Sequence, residues 1–503
     1  MNADRVGVVP AQSVYDLLSH QAAVRPEACA LEDATGAVWS YRDLDAAARA
    51  LAQALKENGV GPGDRVVCVS ENCAAGVAAL FATWVIGAVI IPVNARQTPA
   101  EIDKIVSHAA PSLVLFTSQV SPDAAQHAER LGAMTLVGLW GHLDFVVLEH
   151  ESSPSAADVA VILYTTGTTG DPKGVMLTHG NVSFGGATSA KYRGMTPGDL
   201  IYGVLPATHV FGLSSIIVAS VFAGATVRLI PRFEVDTVFE GLHRGITLFS
   251  GVPQMHALLM AHARKLGLKV LGSDTLRFVS SGAAPLDPTW KRKAETFYGV
   301  AVQNGYGLTE STAGVAATHN ALGDPDTSVG PALLGVEIAI DAAGPDGVGE
   351  VLTRGPHVMK GYFRNLQATS DVLGVDGWLK TGDLGRIDDQ GRLHIVGRLK
   401  ELIIHGGFNV YPPEVEAALN DHPDVVQAAV IGRRNGSDED VLAFVQPAVG
   451  STLDEAILHA FVSRRLVGYK RPAVYVFANS LPAAPTGKIL KHKLISTFFD
   501  ELS

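Results

Sequence analysis

Tyr164-Thr-Thr-Gly-Thr-Thr-Gly-Asp-Pro-Lys-Gly174 is the stretch on which the reading of this chain turns. It follows the apolar run Val159 to Leu163, which reads as a buried strand, so a hydroxyl-rich loop leaves the end of a sheet. Gly167 and Gly170 let successive backbone N–H groups converge on an anion, while Thr165, Thr166, Thr168, Thr169 and Lys173 add donors and charge. Such a loop suits phosphate, although a polar surface turn accounts for the same glycines and threonines. Gly167 to Lys173 also has the G-x-x-x-x-G-K spacing of the Walker phosphate loop. Two residues argue against that motif. Pro172 stands where it wants a close-approach glycine, and Gly174 replaces the Ser or Thr whose hydroxyl would bind Mg²⁺, so a P-loop ATPase or kinase is a weak competitor.

The chain has 503 residues, 47% of them hydrophobic and 18% charged, which suits two or three globular domains with substantial cores. Its 39 basic and 50 acidic residues give a net charge of −11, which argues against general nucleic-acid binding. Cys29, Cys68 and Cys73 have neither metal-ligand nor redox spacing, so a reducing, cytoplasmic setting fits. Met1 to Pro10 lacks the basic-then-apolar pattern of a secretory signal. The uncharged stretches Cys73–Val93 and Ile201–Val227 are long enough to suggest membrane spans, but glycine, proline and histidine interrupt them and neither has a basic flank. Both read as buried core; peripheral membrane contact stays open for a greasy substrate. The oligomeric state is open too, a homodimer included.

From Ser13 to Val93 helix and strand alternate: helix Val14–Ala23, strand Ala28–Glu32, helix Tyr41–Asn58, strand Arg65–Val69, then another helix and strand. The rhythm continues through Leu113–Thr117 and Thr135–Leu139 to a serine-rich linker, Glu151–Ala157. It resumes beyond the loop with strand Leu200–Leu205, helix Leu213–Ala223, strand Thr226–Leu229 and helix Val235–Arg244. Strand Arg277–Ser280 opens into the small-residue loop Ser281 to Pro285. This alternation predicts an α/β fold, mainly parallel sheets covered by helices, with ligands off the carboxyl ends of strands. After Arg398 a smaller α+β unit begins, from strand Leu402–Ile404 and turn His405–Asn409 to strand Ala473–Phe477 and a basic helix near Ile489.

Several segments gain meaning together. Gln303 to Thr312 places Tyr306 between Gly305 and Gly307, with Thr309 and Glu310 as hard oxygen donors; alone it reads as a strand ending in a turn. Asp376 to Gly385 contains Gly-Trp…Thr-Gly-Asp, and Leu481 to Lys488 reads Leu-Pro-Ala-Ala-Pro-Thr-Gly-Lys. With Tyr164 to Gly174 and Gly397-Arg398-Leu399-Lys400, these segments resemble, in order, the signatures of the acyl-adenylate-forming superfamily. That superfamily includes acyl-CoA synthetases, luciferases and peptide-synthetase adenylation domains. Thr166 stands where it usually has serine, and Ala483 where it usually has arginine after Leu-Pro.

The resemblance implies a large N-terminal adenylation domain (1–399) and a small mobile C-terminal domain (400–503) hinged at Lys400. It implies that Thr165 to Gly170 and Lys173 hold ATP phosphates, that Gly282, Ala283, Ala284, Asn304, Gly305, Tyr306 and Gly307 surround the nucleotide, and that Tyr306 stacks on adenine. Thr309 and Glu310 would contact phosphate and Mg²⁺, Asp383 both ribose hydroxyls, and Arg398 ribose or phosphate. Lys488 would bridge carboxylate and α-phosphate as the principal catalytic residue. Gly406, Gly407 and Phe408 would border the CoA arm, with Lys470 and the basic set Arg433, Arg434, Arg464, Arg465 and Arg471 near its phosphates. Ordinary surface charge explains that set equally well.

For the acyl pocket, His209 matches the family's gate, with Val210, Phe211, Val252, Gly282 and Gly307 as walls. An apolar wall favours a monocarboxylate, because a second carboxylate needs a paired cation. Arg232 and Arg277 are the nearby candidates, more naturally structural. The expected activity is a carboxylate–CoA ligase for a small-molecule acid, foremost a fatty acid. The alternatives are an aryl or malonate-type acid, loading of a carrier protein, and a luciferase-type oxygenase.

Overall fold

The computed structural model describes residues 13–149, 158–165, 172–282, 286–312, 314–436, 438–448, 450–483 and 489–502. Met1 to Pro10 and the linker Glu151–Ala157 lie outside the described residues.

Local sequence sets the helices. Ser40 caps Tyr41–Glu57 through a reciprocal box with Asp43, and Leu44, Ala47, Ala48, Leu51 and Leu55 recur on one buried face. The first uncharged stretch forms the helix Ala74–Ile86, ended by Gly87 at φ 77°, followed by the buried strand Val89–Asn94. No helix among the described residues is long and apolar enough to cross a membrane.

Two eight-stranded sheets form the large N-terminal domain. One orders its strands 316–317, 302–306, 278–282, 248–251, 200–203, 226–229, 29–32 and 38–40, parallel except at its two ends. The other runs 361–362, 173–178, 159–165, 89–94, 65–70, 113–116, 141–147 and 134–138, with four parallel strands at its centre. The predicted strand near Thr135–Leu139 therefore belongs to an antiparallel hairpin, Met134–Gly138 with Gly141–Val147, because two turn residues leave no room for a crossover. A four-stranded antiparallel sheet, 337–341, 349–354, 379–387 and 393–398, completes this part. Strand and helix alternate as expected, so mainly parallel sheets under helices are what the chain builds.

Beyond Arg398 the chain buries its own core, Ile403, Val410, Val415, Val430, Val441, Val445, Leu458 and Val462, with a second cluster around Leu442, Phe444, Leu481 and Leu494. The small domain's sheet is not wholly antiparallel: Asp438–Pro447 pairs antiparallel with Val425–Asn435 and parallel with Val474–Phe477, the connection through helix Glu455–Val462 being long enough for a crossover. Its last helix, Lys491–Thr497, is tied in where Lys491 Nζ lies 2.9 Å from Glu401 and 2.8 Å from Glu416.

Candidate active site

The Tyr164–Gly174 stretch connects two antiparallel strands. Val159–Thr165 pairs with Lys173–Thr178, Thr165 opposite Lys173 and Tyr164 opposite Gly174. A Walker loop feeds a helix N-terminus, and here a strand follows instead, which removes the P-loop reading on topology. Gly174 has a packing reason: a Cβ there would lie 2.8 Å from Ile162 Cγ2 and 3.4 Å from Phe363 Cβ. Thr166, Gly167, Thr168, Thr169 and Gly170 lie outside the described residues, as do Ala283, Ala284 and Lys488.

Tyr362 lies beside this hairpin, because Gly361–Tyr362 adds an edge strand opposite Val175 and Met176. Its ring sits 4.9 Å from Lys173 Nζ, a cation–π contact, and its hydroxyl donates to Glu310 Oε1 at 2.8 Å. Burial first, then the Glu310 carboxylate, push the Tyr362 phenol well above its ordinary pKa, so it stays a donor. Thr309 is buried beside Glu310 in a short 3₁₀ turn. That turn closes on Thr312 at φ 51°, a strained setting for a β-branched residue, secured where its hydroxyl donates to the His357 carbonyl at 2.6 Å.

A second cluster joins strand 302–306 to the four-stranded sheet. Tyr306, the last residue of strand Val302–Tyr306, donates its hydroxyl to Asp383 Oδ2 at 2.6 Å. Arg398 Nε lies 3.0 Å from Asp383 Oδ1, the two residues being cross-strand partners. The Thr381 hydroxyl accepts from Asp383 N at 3.1 Å, and Glu350 accepts from Gly382 N at 3.0 Å, which orients the turn bearing the carboxylate. Burial works to lower the Arg398 pKa, but Asp383, Glu401, Tyr306 and Glu310 hold it above its ordinary value. Burial, then the Asp383 charge, raise the Tyr306 phenol well above its own. Gly282 and Gly305 lie opposite each other at adjacent strand ends, the exposed Gly307 follows, and Asn304 is buried with its amide donating to the Ser328 carbonyl.

His209 is exposed and caps a short helical turn, its Nδ1 accepting from Phe211 N at 3.3 Å. The helix expected over Leu213–Ala223 begins as a π-helix, Leu213–Val218, a form that clusters at functional sites. Phe211 leans on Gly282, where a Cβ would sit 3.1 Å from its ring, while Val210 and Val252 are buried. Neither cation weighed for a second carboxylate is available. Arg232 binds Glu71 and Asp123, and Arg277 chelates Asp199 at 2.9 and 2.7 Å.

In the small domain, Gly406 and Gly407 form the tip of hairpin 403–410 with φ of 59° and 78°. Phe408 stacks on Tyr469 at 4.5 Å. The basic set is largely engaged: Lys470 with both Glu414 oxygens, Arg465 with Asp421, Arg433 with Asp440, and Arg471 with backbone carbonyls. The structure therefore favours ordinary ion pairing for these side chains. Lys400 lies exposed in the 3₁₀ turn Leu399–Glu401 between the two parts of the chain.

Among the described residues no group of three or more His, Cys, Asp or Glu is placed to hold a metal. Mg²⁺ commonly uses one or two carboxylates and completes its shell with substrate phosphates and water. Glu310, with one oxygen held by Tyr362 and Lys173 nearby, fits that mode.

Comparison with known proteins places this geometry in a family. The model of the AMP-binding enzymes matches residues 18–363, and that of the AMP-binding enzyme C-terminal domain matches 414–488. Feruloyl-CoA synthase of Amycolatopsis sp is 34% identical, covering 95% of this chain and 97% of its own. 4-Coumarate–CoA ligase 1 of Oryza sativa subsp. japonica is 32% identical, covering 94% and 90%. The ATP-bound structure of MatB from Rhodopseudomonas palustris superposes with a TM-score of 0.84 at 32% identity, over 97% of this chain and 99% of that one. The chain belongs to the AMP-binding, acyl-adenylate-forming enzyme family. Within it, the protein is an AMP-forming acid–thiol ligase, a CoA ligase that uses ATP.

Proposed function

We propose that the acid is an aryl carboxylic acid. The relatives are named for feruloyl and coumarate substrates, and the fatty-acid expectation finds no support among them. An apolar wall of Val210, Phe211 and Val252 suits a hydrocarbon chain and a flat ring alike, so the wall by itself does not choose between a fatty and an aryl acid.

The observation that carries the adenylating chemistry is the pair of side-chain clusters Tyr306–Asp383–Arg398 and Lys173–Tyr362–Glu310. In this account Asp383 accepts from the ribose hydroxyls, and Tyr306, held by Asp383, presents its ring to adenine. Arg398 and Lys173 offset charge on the α- and γ-phosphate sides. Mg²⁺ held by Glu310 would spread phosphate charge. The substrate carboxylate attacks the α-phosphorus and pyrophosphate leaves, with Lys488 stabilising the charge that develops between the two anions. The CoA thiolate then attacks the acyl carbon and releases AMP. Residues 1–399 and 400–503 act as the two working domains, turning about Lys400. Lys488 serves the first step, and the glycine tip Gly406–Gly407, next to Phe408, borders the thiol's path in the second. Lys470, bound to Glu414, acts there only after leaving that partner.

ATP–pyrophosphate exchange across benzoate, cinnamate, coumarate, indoleacetate, octanoate and malonate tests the reading. The aryl acids should lead in kcat/KM by about tenfold or more, the scale of a well-filled apolar pocket. Preference for octanoate would restore the fatty-acid reading. Thioester formation with free CoA separates this activity from carrier loading, and light or oxygen uptake would mark an oxygenase.

A further inference from the structure

Among the described residues, Arg193 is a buried cation with no acid of its own. It is 6% exposed and follows the helix His179–Tyr192. Its NH1 donates to the Ser215 carbonyl on the π-helix, while its Nε has no hydrogen-bond partner. Its guanidinium carbon lies 5.7 Å from the centre of the Phe211 ring and 6.0 Å from that of Phe278. Phe211 is the same side chain that leans on Gly282, so one ring of the candidate pocket wall touches Arg193. No carboxylate is paired with Arg193 among the described residues; nearby Asp199 is committed to Arg277. Burial, only partly opposed by Tyr192, pulls its pKa down to about 10, and it remains charged at neutral pH.

A buried guanidinium is normally matched by a carboxylate, because one carbonyl and two ring faces compensate only part of the hydration it loses. A neutral phenol or ether oxygen would fill one donor and leave the charge unmatched, whereas a carboxylate fills the planar fork and cancels it. We infer that Arg193 is a specificity residue for an aryl acid bearing a second carboxylate at its far end, which reaches the guanidinium when Phe211 turns aside. The inference rests on the adenylating reading of this site. It also supplies the cation that Arg232 and Arg277 do not.

The test is ATP–pyrophosphate exchange with 4-carboxycinnamate, its 3-carboxy isomer, cinnamate and the neutral isostere 4-carbamoylcinnamate. The wild-type protein should favour one carboxy isomer over both neutral acids by about 100-fold in kcat/KM, the scale of a desolvated charge pair. Arg193→Met should abolish that preference while keeping exchange with cinnamate, and Arg193→Lys should keep part of it. A purely structural Arg193, bracing the π-helix, would lower all four acids together and leave their ratio unchanged. That result, or a wild-type protein that prefers the neutral acids, overturns the inference, and the wild-type comparison decides even if Arg193→Met does not fold. Exchange with cinnamate and none with either diacid sinks this inference alone; no exchange with any acid sinks the adenylating reading as well.

Discussion

Replacing Asp383 by Asn removes one charge and keeps the side chain's shape. Both carboxylate oxygens are engaged, one by the Tyr306 hydroxyl at 2.6 Å and the other by Arg398 Nε at 3.0 Å. An amide accepts from only one of these donors and turns its own N–H₂ toward the other. Asp383 is 4% exposed, so water does not take over the lost contact. A hydrogen bond to a charged group contributes about 1.5–3 kcal/mol, and weakening the ribose contacts by about 2 kcal/mol raises the KM for ATP about 30-fold. The KM for the acid should stay within about twofold, because in the proposed site that side chain serves the nucleotide. The assay is ATP–pyrophosphate exchange with ATP, 2′-deoxy-ATP and 3′-deoxy-ATP. Removing a hydroxyl should cost the wild-type protein about tenfold or more, and Asp383→Asn clearly less, since the two changes delete the same contact. Equal penalties in both proteins would refute the ribose assignment, and an unchanged melting temperature in the variant would show that the loss is not one of folding.

Tyr362→Phe removes the donor to Glu310 and leaves the ring beside Lys173. Exchange activity should fall about tenfold and need more Mg²⁺ for half-saturation, whereas an unchanged Mg²⁺ requirement would detach Glu310 from the metal. His256 and His357 are held neutral by burial, each with a pKa lowered to about 4. The unfolded chain takes up protons near pH 6.5 and the folded one only near 4, so stability from both is whole above about 6.5 and is lost as pH falls toward 4. Each accounts for about 2 kcal/mol between pH 7 and 5, and His256→Asn should flatten the melting-temperature profile there. A variant with the wild-type slope would show that His256 is not responsible.

The strand–helix rhythm makes the parallel strands at the centres of the two large sheets legible in the sequence, because burial on both faces writes continuous apolar runs such as Val159–Leu163. Helix His179–Tyr192 was not legible. Gly180, Gly185 and Gly186 lower its helix propensity, and packing explains the last two: a Cβ at Gly185 would lie 2.5 Å from Ser214 Oγ, and one at Gly186 2.6 Å from Val218 Cγ1. Asp383 and Arg398 were legible through a motif, since cross-strand partners within one hairpin stay near in sequence. Tyr362 reaches Glu310 only because Gly361–Tyr362 zips onto Val175 and Met176, a pairing that no local pattern announces. Arg193 hid for the same reason: a lone arginine after a helix reads as surface, and the missing signal is the burial itself.

The most direct test of acyl adenylation follows an oxygen atom. With a substrate acid carrying ¹⁸O in both carboxylate positions, ATP and CoA, attack on the α-phosphorus followed by thiolysis leaves one substrate oxygen on phosphorus. Mass spectrometry of the products should find one ¹⁸O in AMP, none in pyrophosphate, and one retained in the thioester. Label in orthophosphate with ADP as the nucleotide product would mean attack at the γ-phosphorus, and would contradict the account at its centre.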